Sequence, residues 1–118
     1  MKYMLLIHHV DDTRIEEGLR VKLLGESVQL ANDLHKDGKY IDAAPLHPST
    51  ETVSVKVRDG KRLVTDGPFA ETREQIGGYF MVDANSLEEA VEIAGRIPGA
   101  TIGTVEVRPV REVKGLPK

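Results

Sequence analysis

The sequence predicts an α+β domain, and three observations carry that prediction. Apolar or alternating runs of strand length stand near both ends of the chain and through its middle. Two longer stretches repeat their apolar residues at helical spacing. An Asp59-Gly60 pair joins two of the strand-like runs, as the turn of a tight hairpin does.

The elements follow in order. "YMLLI", Tyr3 to Ile7, is a continuous apolar run, as in a strand buried on both faces. Asp12 to Asp37 reads as an amphipathic helix. Thr13 and Glu16 have the spacing of a capping box, and Ile15, Leu19, Leu23, Leu24, Val28, Ala31 and Leu34 form one stripe. Gly18 and Gly25 weaken this helix, each by ~1 kcal/mol relative to Ala, so the reading is one helix, with a break near Gly18 as the alternative. Gly38 stops it. "YIDAAPLH" is a short strand ending at Pro45, and "TVSVKV" alternates through Val53, Val55 and Val57 before the Asp-Gly turn into "RLVT". "GGYFMVDA" is a further strand. Ser86 and Glu89 make a second capping box ahead of a stripe of Leu87, Ala90, Val91, Ala94 and Ile97, which Pro98-Gly99 ends. "GTVEVRPV" is the last strand. Residues 1–112 form a single domain and 113–118 a frayed tail.

Strand, helix, strand, hairpin, strand, helix, strand is a ferredoxin-like split β-α-β arrangement with an extra hairpin strand. Right-handed crossovers put both helices on one face of the sheet. "YMLLI" and "GYFMV" are apolar on both sides, so the other face needs a cover. A second copy of the same face provides one, and a homodimer with a sheet-on-sheet core is expected.

Composition removes several function classes. The 16 Lys and Arg against 19 Asp and Glu leave a net charge of −3, so no basic field invites nucleic acid. No Cys is present, which excludes disulfides, thiolate metal sites and a Cys nucleophile. The apolar run at Met4 to Ile7 is too short for a signal peptide or a membrane span, and a cytoplasmic protein is expected. No His-x-His, His-Glu-x-x-His or calcium-loop pattern points to a metal. "EQIGGYF" lacks the spacing and Lys of a phosphate loop, so no cofactor is expected. Gly77-Gly78 reads instead as room for a close backbone approach.

The candidate catalytic residues are Asp66, His8 and His9. Asp66 precedes Gly67-Pro68 at a strand end, where it either closes an Asx-type turn or serves as a partly buried acid or base. His8 and His9 end the first strand and point to opposite faces, so one at most looks into a given cleft. His47 reads as a rim residue between prolines, and His35 as a favourable charge at a helix end. Glu71, Arg73 and Glu74 form a solvated stretch, with Arg73 also placed to steer an anionic ligand.

"MKYMLLI", "LHPST", "TVSVKVRDGKRLVTDGPFAETREQIGGYF", "SLEEAVEIAGRIP" and "GTVEVRPV" together resemble the YCII-related proteins, in the branch named for its DGPF motif. The resemblance runs from Met1 to about Val110 and is weakest over Asp12 to Asp37. It implies a dimeric α+β barrel of ferredoxin-like subunits, with a pocket at the dimer cleft lined partly by the DGPF segment. It implies a His–Asp acid–base pair, with Asp66 as the position that carries over most directly. One relative in the wider group looks like a dehydrochlorinase of a chlorinated hydroxyquinol, and this branch is often linked to extracytoplasmic-function sigma factors. Two functions follow as expectations: a cofactor-independent lyase or isomerase acting on a small molecule, or a non-catalytic metabolite-binding or regulatory-partner module tied to sigma-factor signalling. A cofactor-free oxygenase is a third, by analogy of fold alone.

Overall fold

A computed structural model describes residues 1–10, 14–69 and 73–117. Among these residues the order is β1 (Lys2–His9), α1 (Glu17–Lys36), β2 (Tyr40–Pro45), β3 (Val53–Arg58), β4 (Lys61–Asp66), β5 (Gln75–Asp83), α2 (Leu87–Arg96) and β6 (Thr104–Pro109). Short 3₁₀ turns occupy Ser49–Glu51 and Pro98–Thr101. Strands β2, β5, β1 and β6 form one antiparallel sheet in that spatial order. This is the ferredoxin-like arrangement, with the β3–β4 hairpin inserted as a separate two-stranded ribbon between β2 and β5.

Period-two alternation divides the sheet. Tyr3 and Leu5 of β1 and Phe80 and Val82 of β5 turn to the helices and are buried. They pack with Leu30 and Leu34 of α1 and with Ala90, Ile93 and Ala94 of α2, closed by Ile97. Met4, Leu6, Tyr79 and Met81 point to the opposite face and are only half-buried. No helix among the described residues is long and apolar enough to cross a membrane.

Helix α1 is one piece, as its stripe predicts, but its cap differs from the sequence expectation. The helix runs unbroken from Glu17 to Lys36, so Gly18 sits in its first turn and breaks nothing. Its cap is Glu16, whose carboxylate accepts from the N–H groups of Gly18 and Leu19 at 2.8 and 2.9 Å. Thr13, expected as the cap, lies outside the described residues, and a Glu carboxylate takes the role usually given to a shorter side chain. At α2 the Ser86 hydroxyl accepts from Glu89 N–H at 3.1 Å, as the capping-box spacing predicts. The Glu89 carboxylate reaches one residue further back than that motif requires, to Asn85 N–H at 2.9 Å, and also holds Lys39 Nζ at 2.8 Å.

The hairpin turns on Asp59 and Gly60 with φ of 52° and 74°. Positive φ at both central residues is the type I′ geometry whose twist matches the strands. Its valine face stays open: Val53, Val55, Val57 and Val64 are each more than half exposed. The radius of gyration is 15.9 Å, against ~13–14 Å for a compact domain of this length, as a projecting ribbon requires.

Candidate functional site

The apolar stripe of α1 does not all enter the core. Leu30 and Leu34, in the C-terminal half, are buried against the sheet. The N-terminal half stands off, and between it and the sheet lies an open cleft of about 850 Å³. Leu23, Leu24, Val28 and Ala31 form its helical wall. Ile7, Ala43 and Phe80 form the sheet side, with the backbone of Gly77 and Gly78. Its size falls within the ~300–1,000 Å³ usual for small-molecule sites, and its lining is mainly apolar. The polar groups reaching it include His9, Glu17, Arg20 and His47.

His9 follows Ile7 on the cleft side of β1 and sits beside an irregularity of β5. Ile7 pairs with Gly78 and His8 with Ile76, so Gly77 is an extra, bulged residue. The His9 ring lies against it: a Cβ built on Gly77 would stand 2.1 Å from His9 Nε2. Gly78 is equally constrained, because a Cβ there would meet the Ala44 carbonyl oxygen at 2.9 Å. The two glycines therefore give the room for close approach that the sequence suggested. His9 Nδ1 meets the backbone carbonyl of Val10, which only accepts. Nδ1 thus carries the hydrogen, and in the neutral ring the lone pair sits on Nε2. A second, water-sized recess beside the cleft is also lined by His9 and His47.

His8 goes the other way. On the open sheet face its Nε2 meets Glu106 Oε1 at 3.2 Å, and Glu106 also pairs with Arg108. The Arg108 hydrogen bond, and then that of His8, hold the Glu106 carboxyl below its ordinary value. Nearby on the same face Tyr79 donates to Asp42 Oδ2 at 2.6 Å, and this bond pushes the phenol up.

Asp66 ends β4 fully on the surface, and it is not among the residues lining the cleft. What holds the chain at this corner is Gly67. Its φ is 90°, its N–H donates to Thr52 O at 2.7 Å, and its carbonyl accepts from the Ser54 hydroxyl at 2.7 Å. Phe69 is 87% exposed, so the aromatic of this motif contributes nothing to the core of one chain. Ala70, Glu71 and Thr72 lie outside the described residues. Arg73 is exposed, and Glu74 accepts from the Thr104 hydroxyl at 3.3 Å. His47 pairs with Glu51 Oε2 at 3.2 Å on the cleft rim, and His35 packs edge-on to Tyr40. Among the described residues no group of three or more His, Asp and Glu side chains is placed to hold a metal ion.

The sequence pattern missed Arg20 and the double use of the α1 stripe. A helix whose apolar stripe half fills a core and half lines a cleft has the same periodicity as one wholly packed.

Fold and cleft together define a small α+β domain with room for an organic ligand between its first helix and its sheet. Residues 1–114 match the YCII-related domain, and the chain belongs to that family. It is also similar to an uncharacterised protein of Rhizobium meliloti (strain 1021), with 40% identity over 75 residues. That match takes in 62% of this chain, which spans 60% of the length of that relative.

Proposed function

We propose that the chain binds a small organic molecule in the α1–sheet cleft and carries out cofactor-independent proton transfer on it, of lyase or isomerase type. His9 is the acid–base group. The observation that carries this reading is an apolar cleft of ligand size in which one imidazole is fixed by a backbone carbonyl on one side and a bulged glycine on the other. An imidazole held in place at a ligand-sized cleft is suited to acid–base work. His8, paired with Glu106 on the other face, serves as an interface residue in this reading.

The half-buried apolar row of Met4, Leu6, Tyr79 and Met81 and the open valine face of the hairpin support a homodimer of the dimeric-barrel kind. Asp66 then contributes to proton transfer through the neighbouring copy, its hairpin reaching across, as a DGPF-type site would have it.

The position of Asp66, outside the cleft of its own chain, favours a second reading: a binding module that senses a metabolite without chemistry. One experiment separates the two. Small organic acids, phenols and quinols are screened by thermal shift on wild type, His9→Gln and Asp66→Asn. Binders are then incubated in D₂O and followed by NMR for loss of carbon-bound protons. Exchange with wild type that His9→Gln abolishes, with binding retained, is the expected result. Binding without exchange for every ligand identifies the module instead.

A further inference from the structure

We infer that the ligand of this cleft is a monoanionic organic acid with an apolar body, and that Arg20 is the residue that selects its carboxylate. The inference rests on the cleft being the ligand site and adds the class of ligand.

Arg20 lies in the first turn of α1, four residues after the Glu16 cap, and reaches the cleft. A cation there opposes the helix dipole, which favours acidic side chains at this end. Glu17, also at the cleft, has the favoured sign and needs no further reason for its position. No carboxylate pairs with Arg20 among the described residues. The free helix N–H groups are not an alternative anchor, because the Glu16 carboxylate already accepts from Gly18 and Leu19.

A guanidinium at the edge of an apolar cleft matches a carboxylate in charge and in its two-pronged geometry. Beyond it the wall is Leu23, Leu24 and Val28, which calls for an apolar body. At Gly77 and Gly78 the space is already taken by the His9 ring and the Ala44 carbonyl, so the apolar body lies along the helical wall.

The test compares 2-naphthoate with 2-naphthamide, which has the same shape and no charge, by calorimetric titration into wild type, Arg20→Gln and Val28→Asp. Arg20 and Val28 are exposed helix positions, so both variants should keep the fold. The expected result is a preference of wild type for the acid of about tenfold or more, reduced to within about twofold in Arg20→Gln. Val28→Asp should weaken both probes. Equal binding of acid and amide by wild type, or a preference that survives Arg20→Gln, overturns the role of Arg20 while leaving the cleft as the ligand site. Binding of neither probe, or binding that Val28→Asp does not touch, overturns the cleft reading with it. So does a change of sedimenting mass in Val28→Asp, which would show a second copy seated in the cleft.

Discussion

A Cβ on Gly77 would stand 2.1 Å from His9 Nε2, so this backbone and this imidazole compete for one space. Gly77→Ala should therefore displace the ring and cost ~1–3 kcal/mol, the usual range for an added group where none fits. Adding His9→Ala should restore much of the loss, a coupling that a double-mutant cycle by urea denaturation measures directly. Equal loss with and without His9 would show that the glycine serves only the bulge. At this scale the sequence was partly legible. The Gly-Gly pair announced a close approach, and alternation announced that His8 and His9 part company. Which face held a cleft was not legible, because that depends on how far α1 stands from the sheet. In the sequence Asp66 stands out both as a turn residue and as a candidate acid or base. The corner is in fact held by Gly67, Thr52 and Ser54, contacts thirteen or more residues apart that no local pattern encodes.

Helix α1 divides into a half packed in the core and a half that lines the cleft, and the two should respond differently to truncation. Leu34 is fully buried, so Leu34→Ala should cost ~2–5 kcal/mol. Leu24 is 45% exposed at the cleft wall, and Leu24→Ala should change stability little while weakening ligand binding. Thermal melts and titrations of the two variants check this together. A second prediction concerns α2, tied to the start of β2 by Glu89. The Lys39 hydrogen bond, and then the Asn85 N–H, hold the Glu89 carboxyl below its ordinary 4.5. A carboxyl lowered on folding stabilises the fold above its unfolded pKa, ~4.3, and this contribution disappears as pH falls through the folded value. Stability should thus drop on acidification below about pH 5, and Glu89→Gln should lower the plateau at neutral pH and shrink that acid loss. Denaturation curves from pH 7 to pH 3 read both effects. The Ser86–Glu89 cap and the Asp59-Gly60 turn were legible because each is written within four residues. The true start of α1 was not, since its cap is Glu16, a residue type seldom found in that role.

The whole molecule is less compact than its length allows, with a radius of gyration of 15.9 Å and a valine-faced ribbon beside a half-covered sheet. The proposed dimer accounts for this excess surface. Met81→Arg, on the open face, should then reduce the sedimenting mass from two chains to one while leaving the helical signal intact. A wild type that sediments as one chain would remove the partner from the account. Sheet coverage suggested that partner from sequence because period-two strands reveal both faces at once, whereas the cleft is a property of spacing between layers and leaves no periodic trace.

In the proposed function the working surface lies between α1 and the sheet and not on the open sheet face. Amide chemical-shift mapping with 2-naphthoate tests it most directly. Shifts should cluster at Arg20 to Ala31, Ala43 to His47 and Gly77 to Phe80, with the amides of Met4, Leu6 and Glu106 unmoved. Shifts centred on Leu6, Met81 and Glu106 would contradict it and move the site to the opposite side of the sheet.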